Sequence, residues 1–470
     1  MSAQPKDAIR AQAPNAGTGL IVLPIYLVLL VLTLVTPVGA DFFSAGATLR
    51  GYLLISLATV IIHLSQARDR NWMRIDTIFL LGYFIVYYQW VSMIEISRII
   101  PQNFFALPAN SQRIVFGTWL ATLGLITWAI GYAMPTPRRR EVVQHVGGSG
   151  KINLVFGLLL VAFVGTVGGD YLTGAIYRQV RAGGFVTMSG VASYVYTLLS
   201  IVILILAAVL LNNLKSAPES VHTRTFQWGV LALIAYCALF SFAGERGAVV
   251  QVLSAIAVVY CSSRRPLGLA GFFLATAAGA LVFTIAGLAR ADGATGVWAI
   301  LEQTNPYTFT LNLANSARAF FLGIDIVNQR GELFWGQLWL GNLLAVVPFA
   351  QNVFVSISEM SPYDINSAYL IAYYRFGPNP HTSDGSTMLG DIYMNFGTIG
   401  VLFFMTLYGA ICRRVQAYAA GGSGFYPMLV AVIFASFVFY ISRSTYLIQL
   451  RPVIWGLLLA LMLVRVKSLR

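Results

Sequence analysis

Charged residues are rare in this sequence, and several stand beside turns where they could do chemistry. The turn Gly244-Glu245-Arg246-Gly247 separates two apolar stretches, and its glycines allow a tight reversal of the backbone. Charges between apolar stretches are costly to bury and are functional candidates for that reason, Arg246 above all. The alternative is an ion pair between Glu245 and Arg246 that only ends two helices.

A second polar group precedes the apolar stretch that begins near residue 390. The segment 377–387 combines turn-forming residues with polar side chains. His381 can accept a proton from a substrate hydroxyl near neutral pH, and Asp384 can orient its imidazole. The alternative for His381 is an ordinary surface residue. Asp391 stands where a carboxylate caps a helix N-terminus, which is its simplest role, and Tyr393 follows it.

Further arginines lie at the ends of apolar stretches or in the one long connection between them. They are Arg290, Arg318, Arg375, Arg443 and Arg451. A guanidinium group offers a rigid fork of donors that binds phosphate at two points, and it stays charged when partly desolvated. As a set, these residues indicate a phosphate-bearing ligand. The alternative for any single arginine is a pair with Asp or Glu, or contact with lipid headgroups.

The sequence indicates no other kind of site. It has no Asp-x-Asp pair and no phosphate-binding Gly-x-x-x-x-Gly-Lys loop, and its three cysteines show no metal-ligand spacing. We therefore expect no metal, no other cofactor and no disulfide. The net charge of +13 forms no basic stripe, so we expect no nucleic-acid partner either.

The composition explains what holds these residues in place. Of the 470 residues, 58% are hydrophobic and 10% charged, and the mean hydropathy is +0.74, which excludes an ordinary soluble domain. Because a bilayer core of about 30 Å takes about 20 helical residues, the pattern predicts a single all-α polytopic domain with about 12 transmembrane helices. The predicted spans are 20–38, 49–65, 75–96, 113–134, 152–168, 190–212, 226–243, 247–262, 268–287, 390–411, 425–441 and 449–465.

The distribution of Lys and Arg predicts the orientation. With both termini inside, 18 of the 30 basic residues lie on the inner side with five acidic ones, which accounts for the whole net charge. Residues 1–18 and 466–470 are then inner tails. Residues 288–389 form one large outer loop, in which 308–323 and 332–350 have the apolar spacing of helices that lie in the interface or cover a cavity.

In its dozen spans, its large late outer loop, its Gly244–Ala248 turn and its run from His381 to Gly400, the chain resembles a known family. This family is the Wzy-type O-antigen or oligosaccharide repeat-unit polymerases, whose architecture is related to that of the WaaL O-antigen ligases. The resemblance in layout covers nearly the whole chain, whereas the matching motifs are short.

The resemblance implies a C-type membrane glycosyltransferase fold (GT-C) in the bacterial cytoplasmic membrane, active on the periplasmic side. A glycan on undecaprenyl diphosphate would be transferred to another lipid-linked repeat unit, and undecaprenyl diphosphate would be released. Membrane lipids, a flippase and a chain-length regulator would be partners.

The resemblance also implies roles for the candidate residues. His381 and Asp384 would be catalytic. The residues expected to bind the diphosphate are Arg246, Arg290, Arg375, Arg443 and Arg451, and those expected to position the acceptor or sugar are Glu245, Arg318, Asp391 and Tyr393.

Three other functions fit parts of the pattern. A ligase that transfers finished glycan to a lipid A core would show nearly the same spans and arginines. A peptidoglycan-type polymerase or another lipid-diphosphate glycosyltransferase would use similar chemistry. A transporter or flippase for a lipid-linked glycan would show internal repeats and charged residues in mid-membrane, and the sequence shows no clear sign of either.

Overall fold

The computed structural model describes twelve stretches of the chain. They are residues 16–36, 45–66, 71–95, 111–135, 144–167, 190–216, 223–243, 245–279, 310–378, 380, 385–420 and 424–468. Most of these residues are helical, and the strands among them form one short two-stranded ribbon. The described part of the chain is therefore a helical bundle, as the sequence predicts.

The helices of the first half are α1 (Ala16–Val35), α2 (Ala45–Ser65), α3 (Ile75–Tyr87), α4 (Gln89–Glu95), α5 (Ser111–Ala133), α6 (Ser149–Val167), α7 (Gly190–Ser216), α8 (Arg224–Ala243), α9 (Arg246–Ser263) and α10 (Leu269–Gly279). Those of the second half are α11 (Leu311–Ala314), α12 (Ala317–Arg330), α13 (Leu340–Leu344), α14 (Ala350–Ser358), α15 (Ser367–Phe376), α16 (Met388–Ala419), α17 (Phe425–Val438) and α18 (Leu450–Leu463). Short 3-10 turns cover Gln337–Trp339, Pro362–Asp364 and Ile441–Arg443, and the strands are β1 (Gln144–Gly147) and β2 (Arg465–Ser468).

A helix lies at the position of each predicted span, but not every helix is long enough to cross a bilayer by itself. Within the described residues, five helices are sufficiently long and apolar, namely α2, α5, α6, α7 and α16. A sixth span results if α3 and α4, which meet at a bend of 51°, are counted as one. The architecture is thus that of a helical membrane protein with five to six candidate spanning helices.

Two of these helices form the centre of the bundle because glycines let their backbones approach closely. A β-carbon on Gly131 of α5 would overlap the carbonyl oxygen of Thr406 on α16, and one on Gly409 of α16 would overlap that of Trp128. Small residues at helix contacts are the usual means of tight packing in membranes. At the periphery, by contrast, Val161 of α6 is 73% exposed, as expected for a side chain that faces lipid.

The two-stranded ribbon of β1 and β2 lies at one end of the bundle. β1 pairs antiparallel with β2, so that Gln144 is opposite Ser468. The side-chain Oε1 of Gln144 also accepts a hydrogen bond from the Phe425 backbone N–H (2.8 Å), and the backbone carbonyl oxygen of Gln144 accepts one from Asn212 Nδ2 (3.0 Å). The four chain segments that meet here were all assigned by the charge distribution to one side, the inner one.

The same end holds a buried ionic cluster. Asp76 is fully buried and accepts hydrogen bonds from Arg74, whose Nε lies 2.9 Å from Asp76 Oδ1, and it lies 2.9 Å from His63 Nε2. The His63 ring packs against the rings of Trp128 and Tyr132 at centroid distances of 5.0 and 4.8 Å. The cluster joins α2, α3 and α5 and compensates a charge that would be costly to bury alone.

The two predicted loop helices differ from expectation. The segment 308–323, described from residue 310, is not one helix but contains α11 and the first half of α12, whose apolar face is buried against α5 and α16. Residues 332–350 do not form one helix, since they contain a 3-10 turn and the short α13. The exposed apolar face in this loop belongs to α13 and α14, and α14 begins only where the predicted segment ends.

Candidate anion-binding site at the arginine end

The opposite end of the bundle is organised around the N-terminus of α16. Thr387 caps this helix, because its hydroxyl accepts a hydrogen bond from the Gly390 N–H (3.2 Å). The preceding Ser386 hydroxyl accepts one from Ser367 of α15 (3.0 Å). Ser386 and Thr387 are both buried, so the polar segment that precedes α16 is fixed from these residues onward.

A tyrosine hydroxyl joins this helix start to two other elements. Tyr87, at the end of α3, accepts a hydrogen bond from the Leu389 N–H (3.1 Å) and donates one to the Ser442 carbonyl (2.9 Å). Its ring packs on Phe320 of α12 at 5.2 Å between centroids. Tyr87 therefore connects α3, α12, α16 and the 441–443 turn at one point.

Arg443 lies in that turn, directly after Ser442. Within the described residues its guanidinium makes no hydrogen bond or ion pair, although it is half-buried. Burial lowers the pKa of Arg443, but an arginine so perturbed stays protonated at neutral pH. The Arg443 carbonyl oxygen lies 4.0 Å from where a β-carbon on Gly385 would be, which puts this turn against Gly385, shortly before α16 begins. Arg443 is thus a partly dehydrated cation suited to an anionic ligand.

Arg318 and Arg375 provide a second concentration of positive charge. Arg318 is in the first turn of α12 and Arg375 in the last turn of α15. Burial lowers the pKa of Arg318, while burial and then the nearby charge of Arg318 lower the pKa of Arg375. The helices that carry the two arginines, α12 and α15, are in contact, and partly buried guanidinium groups in one region favour an anionic ligand there.

The elements that carry these arginines converge. Phe320, two residues after Arg318, contacts Tyr87, and its Cα lies 3.5 Å from where a β-carbon on Gly390 would be. The bond between Ser367 and Ser386 brings the first residue of α15 to the same point, and Arg375 lies about two turns, or about 12 Å, further along this helix. The positive end of the α16 helix dipole adds to the field there. We call this region, with Arg318, Arg375 and Arg443, the arginine end.

Asp391 holds this end together and does not cap its own helix. The capping expectation is wrong, because Thr387 has that position and Asp391 lies one turn inside α16. Asp391 is fully buried, and its Oδ2 accepts hydrogen bonds from Trp339 Nε1 (2.9 Å) and from the Tyr446 N–H (2.8 Å). Trp339 and Tyr446 in turn stack at 5.3 Å between ring centroids. The carboxylate therefore joins the 3-10 turn Gln337–Trp339 to the 441–449 connection.

The remaining described candidates occupy other surroundings. Arg451, in the first turn of α18, lies over the rings of Trp455 (4.5 Å) and Tyr194 (5.5 Å). Tyr393 is mostly buried and packs edge-on against Phe116 of α5 (5.7 Å). Glu245 is the residue before α9, and its N–H donates to the Phe240 carbonyl (2.8 Å).

The structure does not describe the side chains of four candidate site residues. Arg290, His381 and Asp384 lie outside the described residues, and so does the side chain of Arg246, which begins α9. Their predicted roles stay predictions.

Sequence reasoning did not single out Tyr87, Ser367 or Trp339 as parts of a site. Each acts through a partner distant in the chain, so no local spacing marks it. The available signal was the composition of the span 75–96, in which three tyrosines fall within six residues, Tyr83, Tyr87 and Tyr88. All three hydroxyl groups are buried and hydrogen-bonded.

The arrangement is able to bind a doubly charged phosphate group at the boundary of an apolar bundle and to stabilise negative charge that develops on it. Within the described residues no group of three or more His, Cys, Asp or Glu side chains could hold a metal ion. In comparisons with protein-family models, curated proteins and solved structures, nothing matched this chain.

Proposed function

We propose that this protein is a membrane glycosyltransferase that polymerises oligosaccharide repeat units carried on undecaprenyl diphosphate. The observation that carries the proposal is that partly dehydrated arginines lie on the elements that meet at the N-terminus of α16. Arg443 carries most weight, because it makes no ion pair with any described residue. Such cations at the end of an apolar bundle match the diphosphate of a lipid carrier in charge and in depth.

In the proposed reaction a hydroxyl oxygen of the acceptor sugar attacks the anomeric carbon of the donor glycan. The bond between that carbon and the diphosphate oxygen breaks, and its electron pair leaves with undecaprenyl diphosphate. Arg443, Arg318 and Arg375 stabilise the negative charge on the leaving diphosphate. The hydroxyl proton goes to a base, for which His381 oriented by Asp384 is our candidate. Since the donor is already activated, the reaction needs no nucleotide.

The proposal includes a topology. Twelve spans in a GT-C arrangement would have both termini in the cytoplasm of a bacterium and the arginine end at the periplasmic face of the cytoplasmic membrane. The meeting of β1, β2 and the connections near residues 213–216 and 424 at the other end supports it, because these segments form the predicted basic inner side.

The test compares Arg443→Ala and Arg443→Lys with a matched control, Arg414→Ala, which removes an exposed arginine at the far end of α16. Each is expressed in a deletion strain, membrane levels are equalised by immunoblot, and surface glycan is resolved by electrophoresis. Loss of a leaving-group contact costs about 100-fold or more in rate. We expect Arg443→Ala to leave mostly single repeat units, Arg443→Lys to restore short ladders, and Arg414→Ala to give the normal ladder.

Two outcomes would overturn the assignment. Polymer that accumulates on undecaprenyl diphosphate in the deletion strain indicates a ligase. Full ladders in the deletion strain itself would show that the protein has no part in polymer formation.

A further inference from the structure

The α13–α14 segment, residues 340–358, exposes a row of large apolar side chains. Leu343 and Val347 are 46% and 60% exposed, and Phe349, Val353 and Ile357 are 62%, 54% and 78% exposed. The last three recur every four residues, which places them along one side of α14. None of the residues of α14 is buried. The Phe349 ring packs on that of Tyr194 at 5.1 Å between centroids, but the outward surface of the row is left uncovered by the described residues.

The composition of the region is unusual for a surface in water. Between Glu332 and Glu359 the chain contains no charged residue. A protein surface facing water typically has charged residues at about a quarter of its positions or more. The absence of charge over this length favours an apolar environment for the exposed row.

The segment is fixed at the depth where two apolar helices begin. The Val346 carbonyl accepts a hydrogen bond from Trp455 Nε1 of α18 (2.7 Å), and the Phe349 N–H donates to the Tyr194 hydroxyl of α7 (3.0 Å). The rings of Tyr194 and Trp455 stack, and Arg451 lies over Trp455. Trp, Tyr and Arg at the ends of apolar helices mark the headgroup level of a bilayer.

The apolar surface also continues onto a candidate spanning helix. Val191, in the first turn of α7, is 65% exposed and precedes the Tyr194 anchor by one turn. On α14 itself, Asn352 and Ser356 are exposed beside Val353 and Ile357. A helix that exposes one strip of apolar side chains and one strip of uncharged polar side chains fits the boundary between the hydrocarbon core and the headgroups of a bilayer.

We propose that α14 is an interfacial helix whose Val353 and Ile357 side chains lie among the acyl chains of the leaflet at the arginine end. The ligand of this surface is the phospholipid bilayer. Phe349, a bulky residue with a left-handed φ of 63°, turns the chain between α13 and α14 and directs α14 along this boundary. The inference does not depend on the proposed function.

The test measures the depth of α14 in phosphatidylcholine nanodiscs. Ile357→Cys is introduced into protein whose Cys237, Cys261 and Cys412 are replaced by Ala, and a nitroxide is attached. Collision with oxygen, which is enriched in hydrocarbon, is compared with collision with a polar nickel chelate. Glu332→Cys is the water-exposed reference, and Val161→Cys on α6 is the lipid-exposed reference.

We expect the nitroxide at 357 to collide more with oxygen than with nickel, with a depth parameter of the same sign as that at 161. A value like that at 332 overturns the proposal, because the helix would then lie in water. Exclusion of both reagents also overturns it, since another protein or a second copy would cover the row. Val353→Cys repeats the measurement on the same side. If the cysteine-free protein does not fold, a benzophenone amino acid at 357 in the native background must crosslink to lipid.

Discussion

Removal of the Tyr87 hydroxyl is the sharpest test of how the arginine end is positioned. Tyr87→Phe keeps the ring that packs on Phe320 but removes the bridge between the Leu389 N–H and the Ser442 carbonyl. Tyr87 is 3% exposed, so no water replaces the hydroxyl without rearrangement. The turn that carries Arg443 and the start of α16 then lose their common link.

The expected magnitude follows from the two hydrogen bonds. Leaving a buried donor and a buried acceptor unpaired should lower the free energy of unfolding by about 2 kcal/mol, roughly 30-fold in the unfolding equilibrium. Tyr88→Phe is the matched control, because it removes an equally buried hydroxyl from the next residue. Its partners Ser56 and Thr122 already lie 3.1 Å apart and can bond to each other, so its cost should stay below about 1 kcal/mol.

The assay is unfolding by sodium dodecyl sulfate in mixed micelles, followed by tryptophan fluorescence, together with the rate of glycan polymerisation at equal protein. Under the proposed function, displacing the arginine end costs rate steeply, so we expect Tyr87→Phe to polymerise glycan about tenfold more slowly or worse, and Tyr88→Phe to polymerise it near the wild-type rate. If both variants unfold and polymerise alike, the hydroxyl of Tyr87 does not position the arginine end and the reasoning is refuted.

Two further predictions concern the bundle. Gly409→Ala forces a methyl group against the Trp128 carbonyl and should lower the free energy of unfolding by about 1–3 kcal/mol. The control Gly157→Ala places its methyl group where no atom lies within 4 Å and should leave the stability unchanged. Equal unfolding midpoints for the two variants would contradict the close packing of α5 and α16. Burial raises the pKa of Asp325, partly offset by Arg113, whose Nη1 lies 2.6 Å from its carboxylate. A raised folded-state pKa gives stability that is present below the ordinary value of about 4 and is lost as the pH rises through the raised value. Asp325→Asn should therefore flatten the pH dependence of the unfolding midpoint over that interval, and an unchanged slope would argue against a raised pKa.

The positions of the helices could be predicted from the sequence because long uncharged apolar runs have few alternatives in a membrane. The break between α3 and α4 could not, because no proline or glycine stands at Tyr87–Gln89. There the Tyr88 hydroxyl bonds to Ser56 and Thr122, and Gln89 accepts a hydrogen bond from Thr310 (2.7 Å). The bend depends on tertiary partners, which local sequence does not encode.

The candidate site, too, could be predicted from the sequence only in part. The positive-inside count predicts that Arg318, Arg375 and Arg443 share one side, since it uses only loop charges. It cannot predict that Asp391 binds Trp339 and Tyr446, because these partners come from an irregular turn and from the connection before α18. A carboxylate near a helix start predicts a cap, and only the fold shows that Thr387 has taken that position.

The ribbon of β1 and β2 also sets an order of assembly. Because β2 follows β1 by more than 300 residues, β1 cannot pair with it until all the helices between them have been synthesised. The Gln144 side chain accepts its hydrogen bond from the Phe425 N–H only after 281 further residues have been synthesised. Helices α5 and α6 can enter the bilayer early, but residues 144–147 between them form their ribbon only after residues 465–468 have been synthesised. A truncation before Arg465 would therefore leave an unpaired edge at the ribbon end and loosen a region far earlier in the sequence.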